Sequence, residues 1–481
     1  MPLISDSSKH SIAYQTFLGL KEAGINYCVW KSIDRFDEGA RGATDFDLLV
    51  SSACQDKLFC YLKEHHWLEV KAEKWRTFPE VYDFLLYDET LKEFLHFHIH
   101  FQLVMGDRRL KNLTLPLADL YLERKIEVEG IFTCMPELEF AVFILRIAVK
   151  VDSLDYWLLR LKGGERAVFE GFKKEYEQLV ARVDGDRLTN LLGIAELTFV
   201  PSAFVTEAYK DFSFLNLDRC KTTREKLIKY RRYQGWQRWY MATARFFQRR
   251  LCGIGKSLPK EGKMFTVCGC DGSGKTTIIK ALGEKLSGHL KIKHYYLGGS
   301  PGSKGFCRFL FRLIAFPVYA LLWRLIDLIQ GENKSIALKK YFYGIEEYLI
   351  AREKYSRYQK ALHAKKTGAL VIFERFPIFP GVGDGIVEDQ NAPFYKKLEK
   401  LYSSVGDPGT VFCLPVDAQK AVTRKPDHDI KVVQQKAERF NSFFKAKTMD
   451  PQFIVLEDEL EVDRKISTII SHIMQEVHSD H

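Results

Sequence analysis

Val267 to Thr277 reads VCGCDGSGKTT. The apolar run before it, MFTVCGC from Met264, has the character of a strand, and KTTIIKALGEKL from Lys275 has the character of a helix. Between them Gly269, Gly274, Lys275 and Thr276 satisfy the spacing GxxxxGK[ST]. The order strand, glycine loop, helix begins an α/β domain with a parallel sheet. The glycines let backbone amides point inward at phosphate oxygens, and the helix N-terminus adds the positive end of its dipole. Gly269, Asp271, Gly272, Ser273, Gly274, Lys275, Thr276 and Thr277 are therefore the expected nucleotide-binding residues. Lys275 is placed to reach the β- and γ-phosphates of ATP, and the Thr276 hydroxyl to help hold Mg²⁺.

This loop lies past the middle of a 481-residue chain, long enough for two or three domains. Hydrophobic residues make up 46% and charged residues 28%, which excludes extended disorder. Four regions separate by pattern. Residues 1–130 mix helices with short alternating strands in an α+β arrangement. Residues 131–252 open at Pro136 on a long helical pattern, ELEFAVFILRIAVKVDSLDYWLLRL, and stay helical. Residues 253–263, GIGKSLPKEGK, read as a linker, and 264–481 as the α/β domain. The longest uncharged apolar run, LIAFPVYALLW at 313–323, has 11 residues, against roughly 20 for a membrane span. The N-terminus lacks an apolar signal core, and ten scattered cysteines show no CxxC spacing, which suits reduced thiols and a cytoplasmic location.

A phosphate-binding loop alone does not separate kinases from ATPases or GTPases. GALVIFERFPI is a buried strand ending in Glu374–Arg375. A carboxylate there can serve the metal or the acceptor, and the arginine can bind an acceptor's anion; a surface ion pair is the plainer alternative. TVFCLPVDAQKAVTRKPDHD is a further strand followed by a helix ending in Arg424 and Lys425, whose plainer reading is a solvated helix end.

GCDGSGKTT, VIFERF and FCLPVDAQKAVTRK occur in an order and at intervals that resemble the thymidylate kinase family of P-loop kinases, over about residues 262 to 481. That family's Asp-Arg-Tyr strand end is Glu374–Arg375–Phe376 here, with the charges kept. The resemblance implies ATP and Mg²⁺ as cofactors, Thr276 and Glu374 near the metal, and Lys275, Glu374 and Arg375 as catalytic residues. It also implies a mobile arginine from either the loop or a lid. The loop from Cys270 to Ser273 has none, so the lid is indicated, near Arg424, Lys425 or Lys431. The Ser and Tyr-Gln that shape the thymidine site in the family are replaced by PIFPGVGDGIVED, so the implied acceptor is not thymidylate.

Earlier in the chain, Asp45 and Asp47 stand at i, i+2 in DFDLLV, so both carboxylates face one side of a strand, with Phe46 and Leu48 toward a core. Paired acids of this kind can share a divalent metal; an exposed strand start is the alternative. Lys31–Ser32 lies upstream. The arrangement resembles the nucleotidyltransferase superfamily, in which Gly-Ser precedes an Asp-x-Asp strand and a later strand supplies a third acid. LHFHIHFQLV supplies histidines instead: Leu95, Phe97, Ile99, Phe101 and Leu103 line one face of an expected strand, and His96, His98, His100 and Gln102 the other. Asp45, Asp47 and at least one of His98 and His100 are expected to converge on a second divalent metal, Mn²⁺ or Zn²⁺ rather than Mg²⁺. A polar strand face with satisfied histidines is the alternative. The pairing of the two kinds of domain also resembles uncharacterised bacterial proteins associated with surface glycan assembly.

The net charge of +10 is concentrated in one segment: Arg219 to Lys263 holds 14 Lys and Arg against two Glu. Aromatic residues interleave with that charge at Tyr230, Tyr233, Trp236, Trp239, Tyr240, Phe246 and Phe247. Such a segment can lie on an anionic membrane face, bind nucleic acid, or pack on a neighbouring domain. The apolar run at 313–323, flanked by Arg308, Arg312 and Arg324, favours the membrane over nucleic acid, with burial in the core the plainer alternative for the run. The leading expectation is an ATP-dependent phosphotransferase acting on a sugar, glycan or lipid-linked acceptor at the cytoplasmic membrane face. The alternatives are a nucleoside monophosphate kinase with an altered base pocket and a nucleotide-sensing protein without catalysis.

Overall fold

A computed structural model describes residues 4–72, 77–106, 110–150, 165–252, 255–298, 311–330, 332–377, 394–424 and 430–480. The chain forms two compact units, Met1–Lys256 and Ser257–His481.

Among its described residues the first unit has nine strands: β1 (Tyr27–Val29), β2 (Phe46–Val50), β3 (Leu68–Val70), β4 (Val81–Asp88), β5 (Glu93–His100), β6 (Leu103–Gly106), β7 (Lys111–Leu115), β8 (Lys125–Val128) and β9 (Ile131–Cys134). Seven form one mixed sheet in the order β3-β4-β5-β2-β1-β9-β8, with β2 parallel to β5, while β6 and β7 pair separately. Alternation along β2 sets the two faces. Phe46 and Leu48 enter an apolar core with Phe97 and Ile99 of β5, and Phe17 of helix Ile12–Glu22 packs on both phenylalanines. Leu49 enters a different core, shared with helix Pro136–Lys150. Asp47 and the histidines of β5 therefore share the second face.

The strand expected through Leu103 ends at His100. The chain bends at Phe101 and Gln102, and Leu103 opens β6. The reason is divided burial. Phe101 completes the first core, with its amide bonded to Glu80 O at 2.9 Å, while Leu103 packs in the second. Pro136 does open a helix, and its Leu138–Val149 stretch is buried on all sides, including Glu139 and Arg146. The later part of that expected helical pattern, 151–161, lies outside the described residues. Helices continue from Glu165–Val180 to Gly235–Cys252, two of them capped by the Asp184 and Asn216 side chains.

The second unit carries β10 (Met264–Cys268), β11 (Ile292–Tyr296), β12 (Leu370–Glu374), β13 (Thr410–Cys413) and β14 (Phe453–Val455). All pairings are parallel, in the order β11-β12-β10-β13-β14. The architecture is thus α/β. β10 and β12 are buried along their whole length, as parallel strands covered on both faces must be. Helix Lys275–Ser287 follows β10, and the chain crosses β10 only when it reaches β13, so a topological switch lies between those two strands. Ligand crevices of open α/β sheets form outside such a switch, at the carboxyl ends.

Residues of the expected linker are anchored. Leu258 is buried with its amide on Gly368 O at 2.9 Å, and Gly262 N donates to Lys365 O at 2.7 Å. The spacing of Gly, Pro and Lys hid one apolar anchor. No helix among the described residues is long and apolar enough to cross a membrane.

Candidate functional site

The glycine loop joins β10 to helix Lys275–Ser287 at the switch point. Gly272 and Gly274 adopt left-handed φ values of 88° and 86°. A Cβ on Gly272 would also lie 2.8 Å from Ala421 O, so glycine is required there twice over. Gly269 has a further constraint: its Cβ would sit 2.4 Å from Ser273 Oγ. Ser273 is buried, and its hydroxyl has no hydrogen-bond partner among the described residues. A buried hydroxyl of this kind, in a glycine loop before a helix N-terminus, is one that a phosphate oxygen would satisfy.

Lys275 is buried, and its ammonium turns inward onto Cys270 O. Burial, and then the charge of Arg375, pull its pKa below the ordinary lysine value. Its neighbour Thr276 donates from Oγ1 to Glu374 Oε1 at 3.1 Å, and His294 Nε2 on β11 lies 3.4 Å from the other oxygen. Burial raises the Glu374 pKa, but the contacts from His294 and Thr276 outweigh it and leave the carboxyl below its ordinary range. A hydroxyl and an ionised carboxylate side by side form an oxygen donor set suited to Mg²⁺. Sequence reasoning missed His294; its only signal was a polar residue in a strand adjacent to β12.

Arg375 has a left-handed φ of 60°, a conformation disfavoured for a side chain of this size. Its guanidinium is ion-paired with Asp271 of the loop and sits 5.9 Å from the Tyr296 ring. Strain of this kind persists only where the surroundings enforce it. Arg424 ends helix Ala418–Arg424 and donates to Gly272 O at 3.0 Å. Asp271 and Thr277 lie in the loop and first helical turn, as spaced. Lys425 and most of PIFPGVGDGIVED lie outside the described residues; Lys431 is exposed at the start of helix Ile430–Lys447.

A second polar cluster lies in the first unit. Parallel pairing sets Asp47 opposite His98, and antiparallel pairing sets Asp83 of β4 opposite the same histidine. Asp47 contacts Lys31 at 2.9 Å, His98 at 3.1 Å and His100 at 3.6 Å. Burial raises its pKa, but Lys31 and the two histidines hold it well below the carboxylate range. Burial, with the neighbouring His98, pushes His100 down to about 3. Asp45 is not brought to this group. It meets His96 Nδ1 at 2.6 Å, while His96 Nε2 contacts Asp83 at 2.9 Å and Lys256 at 2.8 Å. Asp83, Lys111 and Lys256 were not anticipated from sequence, because each is a single polar residue far along the chain from the Asp-x-Asp pair.

Ser32, after Lys31, is left-handed at φ 62°, and its amide donates to Glu139 Oε1 at 2.7 Å. Arg182 bridges Glu139 and Asp34 at 3.1 and 3.0 Å. Burial still pushes the Glu139 carboxyl up to about 7, with Arg182 the largest opposing influence.

No protein-family model matches the sequence. The chain is similar to two proteins of Escherichia coli K12. One is the uncharacterized ATP-binding protein YghR, 26% identical over 188 residues, or 36% of this chain and 73% of YghR. The other is the uncharacterized ATP-binding protein YghS, 26% identical over 186 residues, or 36% and 78%. A solved structure of deoxyadenosine kinase from M. mycoides with bound dATP shares 19% identity and covers 44% of this chain and 98% of its own, at a TM-score of 0.26.

Proposed function

We propose that the second unit is an ATP-dependent phosphotransferase. The observation that carries this reading is the meeting of Thr276 with Glu374 at 3.1 Å beside the buried Lys275. ATP binding accords with the buried Ser273 hydroxyl and with the description of YghR and YghS as ATP-binding proteins. Thr276 and Glu374 would hold Mg²⁺, which neutralises charge on the phosphates when bound. Lys275 binds the β- and γ-phosphates. Arg375 leaves Asp271 for an anion of the acceptor, and Arg424 or its neighbour Lys425 stabilises charge on the phosphoryl group in transfer.

The acceptor we infer is a sugar, glycan or lipid-linked molecule at a membrane face. Two exposed apolar faces support it. On helix Gly235–Cys252, Trp236 and Trp239 are 74% and 70% exposed, with Tyr240, Phe246 and Phe247 following at helical spacing. No acidic residue occurs between Lys226 and Lys260. On helix Phe316–Gln330, Val318, Leu321, Leu322 and Leu325 are exposed while Tyr319 stacks on Phe342. Basic charge with aromatics at one level suits an anionic headgroup layer.

Transfer from γ-labelled ATP into a fractionated bacterial extract tests both parts. Label in a lipid or glycan fraction with wild-type protein, absent with Lys275→Ala, is expected. Label in nucleoside diphosphates would establish a nucleoside monophosphate kinase instead. ATP binding with no labelled product in any fraction would leave a nucleotide sensor.

A further inference from the structure

Three atoms in the first unit form a nearly equilateral triangle. Asp47 Oδ1 is 3.1 Å from His98 Nδ1 and 3.6 Å from His100 Nε2, and the two ring nitrogens are 3.3 Å apart. Ligands about 2.05 Å from a tetrahedral ion lie about 3.3 Å from one another. An ion at that distance from all three atoms would stand only about 0.7 Å off their plane, with three of the four corners of a tetrahedron supplied by these residues.

We propose that Asp47, His98 and His100 bind one divalent transition-metal ion of the Zn²⁺ class, with the fourth position left to water or a ligand. The set is held by backbone pairing: Asp47 lies opposite His98 and Leu49 opposite His100 across β2 and β5. It is enclosed as well, because His100 is 1% exposed and its ring meets Trp30 edge-on. Two imidazoles select against Mg²⁺, which takes oxygen ligands.

The surroundings supply outer partners. Lys31 Nζ is 2.9 Å from Asp47 Oδ2 and leaves Oδ1 for the ion. An ion on His98 Nδ1 places the ring proton on Nε2, and Asp83 Oδ1 stands 3.8 Å from that nitrogen. A small ring movement completes a metal–histidine–carboxylate relay of the kind that orients metal ligands. Lys111 touches the same nitrogen, so its ammonium must move off toward Asp83 when the ion binds. Lys111 is thus a competitor of the metal. Asp45 is outside the set: it is paired with His96 and 55% exposed. A site in which Asp45 and Asp47 share the ion is a different site, and the two are distinguishable.

The test uses the full chain, stripped by chelator and titrated with Co²⁺ and Zn²⁺. Wild type is expected to take one equivalent with the intense visible absorption of tetrahedral Co²⁺. Asp47→Asn and His100→Asn should abolish that absorption, Asp45→Asn should keep it, and Lys111→Met should strengthen Co²⁺ binding by roughly tenfold. If the buried His100 variant does not fold, the part-exposed Asp47 and Lys111 variants carry the test. No tetrahedral signal in wild type, or equal loss in Asp45→Asn and Asp47→Asn, would overturn the proposal.

Discussion

Thr276 and Glu374 are 98 residues apart, yet the threonine hydroxyl donates to the carboxylate at 3.1 Å across the ends of two adjacent parallel strands. The hydroxyl and the carboxylate are the two oxygen donors that would hold Mg²⁺ in the proposed reaction. Glu374→Gln keeps the shape and the bond from Thr276 but removes the charge. Phosphotransfer should fall by roughly a hundredfold or more, and the Mg²⁺ concentration needed for half-maximal rate should rise. A rate within twofold of wild type at all Mg²⁺ concentrations would remove Glu374 from the reaction.

Lys275 is buried against the loop carbonyl of Cys270, with no surface role to lose. Lys275→Ala should abolish transfer and weaken ATP binding, while far-ultraviolet circular dichroism stays at the wild-type level. A folded variant with normal turnover would end the phosphotransferase reading.

Arg424 rests on Gly272 O of the glycine loop, close to where the proposed phosphates would lie. Arg424→Ala should lower kcat by roughly a hundredfold and change ATP binding by less than about threefold, because a charge acting chiefly on the transition state affects the rate selectively. Parallel losses in both would make it a ground-state phosphate ligand.

Glu139 titrates at about 7 in the folded chain, against 4.5 for an ordinary glutamate. Between those values the folded state binds more protons than the unfolded state, so stability falls as pH rises through the window. The shift sets an upper bound on the order of 3 kcal/mol for the loss. Glu139→Gln should flatten the decline measured by urea unfolding from about pH 5 to about pH 7.5. An undiminished slope in the variant would assign the decline to other groups; Asp34, also raised by burial and on the same arginine, is the first to test.

The aromatic face of helix Gly235–Cys252 should hold the chain to vesicles containing anionic lipid. Replacing Trp236 and Trp239 together with Ser should weaken that binding roughly tenfold or more, and added salt should weaken it in both proteins. Co-sedimentation measures it. Unchanged binding of the double variant would take the membrane contact away from this face.

The glycine loop is legible in one short stretch of sequence. Its glycines, lysine and threonine lie within eight consecutive residues, so chain connectivity alone brings them together. Alternation did the same for the shared face of Asp47 and for the buried side of β5, since a period of two is a local property. Convergence came from the pairing of strands distant in the chain. His294 reaches Glu374 because β11 pairs with β12, and Asp83 reaches His98 because β4 pairs antiparallel with β5 in one register out of many. Asp47, inside β2, met His98 and His100 through the pairing with β5, while Asp45, one residue before β2 begins, met His96 instead. The early end of β5 followed from the two cores competing for Phe101 and Leu103, a contest no single stretch of sequence records. Local spacing specifies which groups can act, and strand order and register, set by burial over the whole unit, specify which of them meet.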